Sequence, residues 1–263
     1  MSDTHAQQRA RNRRVQAGYS LIELSVALAI ALFLLNGILM ILQGTQNAAS
    51  DQNWLAQLQE EERTAMTMIT DVIQQAGYYP DAQTVDPSTV FQPTATFGNV
   101  GQIVAGGTNA NGAVITIRYQ GDATGNVLDC RGSAIPNGTL EEMTFSVQPG
   151  PNENGTLELF CTANGVAVPL VPNVQTMAIS YGIDTNGSGA PNAYLTPDQI
   201  AALTPSQIAS FWTSVYSVKL SVTFINPLYG TKQGQTLSVP QTITFSRVIG
   251  IMARTGVNVL NLY

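Results

Sequence analysis

Few residues of this chain are of the types that catalyse reactions. The only histidine among the 263 residues is His5, in the short basic segment at the N-terminus. The rest of the chain therefore has no histidine for general acid–base catalysis or zinc binding. Glu141 and Glu142 are adjacent on a predicted strand, where neighbouring side chains point to opposite faces. We therefore expect surface charges there, and we predict a protein that is not an enzyme and needs no cofactor.

One turn carries the oxygen-rich pattern of a calcium loop. Asp184, Asn186 and Ser188 alternate along the chain and are followed by Gly189. This alternation is typical of the start of an EF-hand loop, whose twelfth position supplies a bidentate glutamate, but here that position holds Leu195. A polar β-turn explains the same residues without a metal. We interpret the segment as a turn and keep its three oxygen-bearing residues as the only metal candidates.

The most unusual polar residue is Glu23, a single carboxylate inside a long apolar run. The run extends from Leu21 to Leu42 and reads LIELSVALAIALFLLNGILMIL. At about 1.5 Å per residue, a helix of this length crosses a hydrocarbon core of about 30 Å. A carboxylate inside a membrane span costs roughly 2.5–3.5 kcal/mol on insertion scales, and for that reason it indicates a function.

The residues that flank the apolar run predict its orientation. Arg9, Arg11, Arg13 and Arg14 precede it and favour a cytoplasmic N-terminus. Everything after Leu42 is then expected outside the cytoplasm. A secretory signal peptide is the alternative, but its apolar region is only about 7–15 residues long and ends at a small-residue cleavage site. Here the apolar run is longer, and helical patterning continues after it.

Composition and charge argue against one class of partner. Apolar residues make up 44% of the chain and charged residues 11%, which is low for a soluble cytoplasmic protein. The net charge is -6, and the first 18 residues contain four of the 11 basic residues but only one of the 17 acidic residues. The remainder is therefore more acidic than the whole chain. Because phosphate contacts need clustered lysine and arginine, we predict no binding to nucleic acid.

The segment after the apolar run predicts that the helix continues. An apolar stripe recurs there at steps of three and four residues, opposite the acidic run at 60–62; its members are Leu55, Leu58, Ala65, Ile69, Val72, Ile73 and Ala76. Gly77 followed by Pro80 predicts the end of the helix. We expect one helix from Leu21 to Ala76, with its second half packed on a sheet.

The remainder of the chain has the period-two pattern of β-strands. The predicted strands are Ala113–Gln120, Thr139–Gln148, Gly155–Thr162, Gln175–Ile183, Tyr216–Ile225 and Gln241–Ile251. Thr196-Pro197 and Thr204-Pro205 each place a capping residue before a proline, which predicts two short helical turns before Trp212. The predicted fold is α+β, with an antiparallel sheet packed on the second half of the long helix. The expected organisation is a leader (1–18), a helix (19–76) and a β-rich domain (77–263).

The chain has two cysteines, Cys130 and Cys161. In an exported chain an even number of cysteines favours a disulfide, and closing a loop of this size would stabilise the fold by roughly 3 kcal/mol. Two buried thiols would be the better interpretation only for a chain that stays in the cytoplasm.

The N-terminal motif resembles the class III signal of type IV pilins and pseudopilins. It combines a basic leader, Gly18, Tyr19, the sequence SLIEL at 20–24 and an apolar helix. The resemblance implies that a prepilin peptidase cleaves after Gly18 and N-methylates Tyr19. It also implies that Glu23 pairs with the N-terminal amine of a neighbouring subunit. Two features depart from the family pattern, since the first mature residue is usually phenylalanine and the span usually contains a proline.

Later motifs, taken in order, resemble PilW-type minor pilins. They are LDCRG at 128–132, GTLELFC at 155–161, LVPNV at 170–174, YGID at 181–184 and VYSVKL at 215–220. The resemblance implies a low-abundance subunit of a tip or priming complex, with other minor pilins, the major pilin and the prepilin peptidase as partners. It implies an inner-membrane precursor with a periplasmic domain and then an extracellular pilus. A J-type pseudopilin of type II secretion and a tip adhesive subunit are the alternatives.

Overall fold

The computed structural model describes residues 20–151, 155–230 and 239–255. The chain divides into two compact units, residues 1–52 and residues 53–263. Gly18 and Tyr19, the predicted cleavage and methylation positions, lie outside the described residues. The two units are described separately below.

The first unit consists of the N-terminal part of helix α1, which spans Leu21–Gln74. Every described residue up to Ser50 is exposed, although this part is rich in leucine, isoleucine and alanine. With a mean hydropathy of 2.5 over its most apolar window, it is long and apolar enough to cross a membrane. The helix continues through Asn36 and Gly37 without a break.

The second unit begins with the C-terminal part of α1, whose apolar stripe is buried. Leu58, Ala65, Met66, Ile69, Val72 and Ile73 form this buried face. Leu55, which the periodicity places in the same stripe, is 37% exposed, so the buried face begins one turn later than predicted. The helix ends at Gln74, and the chain reverses at Gly77, which has a φ of +79°. The N–H of Gly77 donates to the carbonyl of Arg118 at 3.0 Å.

Nine strands within the described residues form one sheet in this second unit. They are β1 (Val104–Asn109), β2 (Gly112–Gln120), β3 (Leu140–Pro149), β4 (Leu157–Ala163), β5 (Val166–Val171), β6 (Val174–Ile183), β7 (Ala193–Leu195), β8 (Val215–Ile225) and β9 (Thr242–Gly250). The main order is β5-β4-β3-β2-β6-β8-β9, with β1 beside β2 and β7 beside β6. All pairs are antiparallel except β2 and β6, which meet in parallel at Gly112 and Met177. The predicted antiparallel sheet is thus mostly, but not wholly, antiparallel.

Four short helices complete the fold: α2 (Pro87–Val90), α3 (Pro197–Ala201), α4 (Pro205–Thr213) and α5 (Met252–Thr255). Two of them, α3 and α4, were predicted from their threonine–proline starts. In α3 the capping box forms in full, because Thr196 N donates to Gln199 Oε1 at 2.9 Å and Gln199 N donates to Thr196 Oγ1 at 3.4 Å. The α4 residue Trp212 packs edge-on against Tyr181 of β6, with ring centroids 4.9 Å apart. These helices therefore cover one part of the sheet.

The core lies between the buried stripe of α1 and the inward side chains of the sheet. Ile69, Phe145, Val222 and Phe224 are among its fully buried members. This arrangement of a long N-terminal helix and a mostly antiparallel sheet confirms the predicted α+β architecture.

Candidate functional site

The described chain provides nothing that covers the apolar N-terminal part of α1. Leu21 is 86% exposed, Ile22 74% and Phe33 80%. A helix that is apolar on all sides requires a surrounding of lipid or of other apolar helices. Two polar side chains are satisfied by the helix itself, because Ser25 Oγ donates to the carbonyl of Ile22 at 2.7 Å and Thr45 Oγ1 to that of Leu42 at 2.8 Å. Such local hydrogen bonds make the helix compatible with an apolar surrounding.

Glu23 is the polar exception in this segment. It lies in the first turn of α1, and its carboxylate makes no hydrogen bond or ion pair with the described residues. A carboxylate at the N-terminus of a helix is favoured by the helix dipole, but in an apolar surrounding it still needs a cation. The first unit therefore presents an unpaired acid on an uncovered apolar helix, which suits it to pairing with an ammonium group of another molecule.

The predicted disulfide position lies in the second unit. Cys130 and Cys161 form a disulfide, with Cα atoms 6.3 Å apart, and both residues are buried. Cys161 belongs to β4, whereas Cys130 follows β2 in the connection to β3. The bond therefore fastens this long connection to the sheet.

An ion pair stabilises the turn that contains Cys130. Arg131 Nη2 lies 2.6 Å from Asp129 Oδ2, while the N–H groups of Arg131 and Ser133 donate to Asp129 Oδ1 at 2.8 and 2.9 Å. Burial raises the pKa of Asp129, but these hydrogen bonds and the Arg131 charge outweigh it, so the pKa is below its ordinary value. The turn is thus held by its own residues as well as by the disulfide.

Glu141 is not the simple surface charge that the sequence predicted. Its Oε1 atom is buried and has no hydrogen-bond partner among the described residues. Burial and the nearby charge of Asp129 raise the pKa of Glu141. Its neighbour Glu142 points to the other face and accepts a hydrogen bond from Thr94 Oγ1 at 2.9 Å. The prediction that Glu141 and Glu142 point to opposite faces is correct, but the sequence does not show that the Glu141 side chain is partly enclosed.

We expect Glu141→Gln to stabilise the protein at neutral pH. A raised pKa in the folded state means that ionising Glu141 costs stability as the pH rises through that pKa, whereas below the unfolded-state value the cost is absent. The amide removes the charge, so the free energy of unfolding should increase at pH 7 and change little at pH 4. Urea unfolding of the full chain in detergent at both pH values measures this, with Glu142→Gln as control. Equal destabilisation by both variants at both pH values would contradict the prediction.

The calcium candidates form a turn whose oxygens are used by the backbone. Asp184 Oδ1 accepts from Asn186 N at 3.1 Å, and Asp184 Oδ2 accepts from Gly189 N at 2.6 Å. Asn186 Oδ1 accepts from Ser188 N at 3.2 Å. Partial burial raises the pKa of Asp184, but the N–H groups that surround it more than offset this and lower the pKa. A cation would have to compete with these donors for the same oxygens.

We therefore expect millimolar calcium to leave the melting temperature of the full chain unchanged. Asp184→Ala should lower the melting temperature by the same amount with and without calcium, because it removes an acceptor of the turn and not a metal ligand. Scanning calorimetry of both proteins tests this. A calcium-dependent increase in the wild type that is lost in Asp184→Ala would instead establish a metal site.

Sequence reasoning missed Arg118, a fully buried cation in β2. Its guanidinium donates to the carbonyl oxygens of Gln102 at 2.7 Å, Gln92 at 2.6 Å and Phe91 at 3.2 Å. It also lies over the ring of Phe97, with Cζ 4.3 Å from the centroid. Burial lowers the pKa of Arg118, and the charge of Glu142 partly counters that effect. Arg118 thus fixes the segment 91–102 to the sheet.

The predicted site residues do not converge on one centre. Glu23 belongs to the first unit, whereas the disulfide and the Asp184 turn belong to the second. A cleft of about 870 Å³ lies beside the end of α1, lined in part by Tyr79, Phe91 and Arg254. None of the predicted site residues lines this cleft. No group of three or more histidine, cysteine, aspartate or glutamate side chains suited to a metal occurs among the described residues.

The first unit is thus an apolar helix of membrane-spanning length, and the second is a sheet domain whose core includes the C-terminal part of α1. Residues 145–246 match the family model of the type IV pilus-assembly protein W, PilW. This match confirms the predicted resemblance to PilW-type proteins. It covers β4 to β8, the second half of β3 and the first five of the nine residues of β9.

The chain was also compared with solved structures and with curated protein sequences. A type IV-like pilin, TTHA1219 from Thermus thermophilus, is 14% identical with a TM-score of 0.40, over 76% of this chain and 98% of that chain. At this level of similarity the comparison adds nothing to the assignment. No curated protein sequence matches the chain.

Proposed function

We propose that the chain is a minor pilin of a tip or priming complex on which the major pilin polymerises. The observation that carries the proposal is the uncovered apolar helix with its unpaired Glu23, on a chain that matches the PilW family. A single-chain membrane anchor has no need of a carboxylate in its first turn, whereas a subunit that docks beside another has a use for one. A structural role without catalysis is part of the same proposal.

The proposed mechanism has three steps, each assigned to residues of this chain. First, the apolar part of α1 holds the precursor in the inner membrane with the sheet domain in the periplasm. Second, the prepilin peptidase cleaves after Gly18 and methylates the amine of Tyr19. Third, Glu23 pairs with the N-terminal amine of a neighbouring subunit, and the apolar helices pack laterally.

The charge pair in the third step determines the register in which neighbouring helices pack. A pair formed in an apolar surrounding is strong because the dielectric constant is low, and a carboxylate that finds no partner there is costly. The helices can pack at many registers by apolar contact alone. Only a register that brings Glu23 next to an ammonium group relieves the cost of the charge, so the pair selects the register.

Deletion of the gene in the producing organism tests the proposal. We expect surface pili to be lost while the major pilin remains at its normal level in the membrane, and secretion by a type II system to be unaffected. The reverse pattern would identify a J-type pseudopilin, which the PilW match does not favour. A normal number of pili with lost attachment would instead identify an adhesive subunit.

A further inference from the structure

Among the described residues, strand β9 forms one edge of the sheet, and one of its hydrogen-bonding sides faces no other described strand. It pairs with β8 over all nine of its residues, and no described strand pairs with its other side. At the two ends of this ladder, Asn226 N donates to Gln241 O and Ile251 N donates to Tyr216 O, each at 2.9 Å. Both of these bonds involve odd-numbered residues just outside β9.

The parity of the ladder shows which backbone groups of β9 are free. In an antiparallel pair, hydrogen-bonded and non-hydrogen-bonded residues alternate. Because Gln241 and Ile251 are both bonded to the β8 side, the odd-numbered residues between them face β8. The even-numbered residues direct their N–H and C=O groups away from β8; they are Thr242, Thr244, Ser246, Val248 and Gly250.

The two edges of the sheet differ in how they are protected. Natural edge strands are commonly blocked by proline, by bulges, by short length or by charged side chains. β5, at the opposite edge, contains Pro169, and its pairing with β4 shifts register between Leu159 and Phe160. β9 has no proline, no irregularity in its pairing and nine residues. Of the two strands that end the main order, only β9, whose one charged side chain is Arg247, can therefore extend the sheet by an uninterrupted ladder.

The charges beside β9 indicate what kind of strand would pair with it. Lys219 and Arg247 are the basic residues of the described chain that are exposed and outside an ion pair. Lys219 lies opposite Val248 on one face of the sheet, and Arg247 lies opposite Leu220 on the other. Arg247 Nη1 also donates to Thr70 Oγ1 of α1 at 3.3 Å, a neutral partner that leaves its charge in place. In a chain with a net charge of -6, this edge thus carries a positive charge on each face.

We propose that the β9 edge receives an extended, acidic strand of another subunit of the same pilus, which adds to the sheet by main-chain hydrogen bonds. Strand addition takes its affinity from such bonds and its specificity from the flanking side chains. A second copy of this chain is a poor occupant, because pairing of two β9 edges would bring the same positive charges together. The identity of the partner as a pilus subunit rests on the proposed function, whereas the strand addition does not.

Photo-crosslinking in the producing organism tests this with the full chain. A benzoylphenylalanine replaces Val248 on β9 or, as the matched control, Val166 on β5; these valines are 57% and 51% exposed. We expect a crosslink from position 248, mapped by mass spectrometry to an acidic segment of another pilus subunit, and at least fivefold less from position 166. Crosslinks to a second copy of the chain, or equal yields at both positions, would overturn the proposal.

Variants of the edge separate backbone pairing from a general loss of structure. Ser246→Pro removes an outward N–H that the β8 ladder does not use, and proline is tolerated at such positions. Ser246→Ala removes only the hydroxyl that bonds to Ser221. We expect the position-248 crosslink to fall at least fivefold with Ser246→Pro and with the double variant Lys219→Glu, Arg247→Glu, but not with Ser246→Ala, at equal protein levels. An unchanged crosslink in both would overturn the proposal.

The outcomes distinguish this inference from the proposed function. Loss of pili on gene deletion without a selective crosslink at position 248 would overturn the strand addition and leave the minor-pilin function standing. A selective, Ser246→Pro-sensitive crosslink to a protein outside the pilus would overturn the proposed partner and count against the pilus function itself.

Discussion

Alanine at position 23 is expected to leave the prepilin cleaved and membrane-inserted but to reduce its incorporation into pili by at least tenfold. The span remains fully apolar in this variant, so insertion should not suffer. The variant lacks the acid that pairs with the amine of a neighbouring subunit, and that ammonium group is then left without a partner in the membrane. An unpaired charge there costs roughly 2.5–3.5 kcal/mol, which corresponds to about 10²-fold in an equilibrium. Immunoblots of sheared pili, normalised to the membrane pool, give the ratio.

Ser25, two residues after Glu23 in the same helix, provides a matched control. Ser25→Ala removes a hydroxyl that bonds only to the carbonyl of Ile22, and we expect it to assemble normally. Glu23→Asp keeps the charge and should retain part of the incorporation. Normal piliation and normal incorporation of the Glu23→Ala variant would show that the carboxylate does not direct assembly.

Replacing Arg118 with methionine should cause a large loss of stability in the sheet domain. Methionine approximates the volume of the aliphatic part of arginine but leaves the carbonyls of Gln102, Gln92 and Phe91 without their donor. Each buried carbonyl left unpaired costs about 1–3 kcal/mol, and water can reach some of them, so we expect a loss of about 3 kcal/mol. Urea unfolding of the full chain in detergent, followed by near-ultraviolet circular dichroism, measures it.

Arg63→Met is the control for this prediction. Arg63 pairs with Glu60 at 2.8 Å on an exposed face of α1, and an exposed pair contributes little to stability. Arg118→Lys should lie between the two, because an ammonium cannot reproduce three donors in a plane. If Arg118→Met were no more destabilising than Arg63→Met, the buried guanidinium would not be what fixes segment 91–102.

Periodicity predicted the long helix and six of the strands because those elements bury one face. The stripe from Leu58 to Ile73 is buried as its three- and four-residue spacing requires, and β8 alternates in the same way between core and surface. Leu55 fits the same spacing but is exposed. Periodicity gives the direction of a side chain but not the point at which the sheet begins to cover it.

The strands that were missed have sequences that local preference does not favour. β1 contains Gly106, where a Cβ would collide with the hydroxyl of Tyr181, so glycine is there for packing and not for a turn. β5 contains Pro169, which is compatible only with an edge. The parallel contact between β2 and β6 is set by chain topology, and no local pattern encodes it.

The candidate site was predictable only where the membrane imposes strict rules. An acid in an apolar run stands out in any sequence, so Glu23 was found at once. Arg118 is equally exceptional in the fold. The only feature of the sequence that points to it is its position inside the otherwise apolar strand AVITIRYQ. Its three carbonyl partners lie at 91, 92 and 102, and they come together only when the chain folds back on β2.

Intact-mass and peptide mass spectrometry of purified, sheared pili tests the central claim most directly. We predict that the chain is present at a small fraction of the major pilin, that its first residue is Tyr19, and that the amine of Tyr19 carries a methyl group. A chain that is absent from the pili, or one that still carries its leader through Gly18, would contradict the account of a processed pilus subunit.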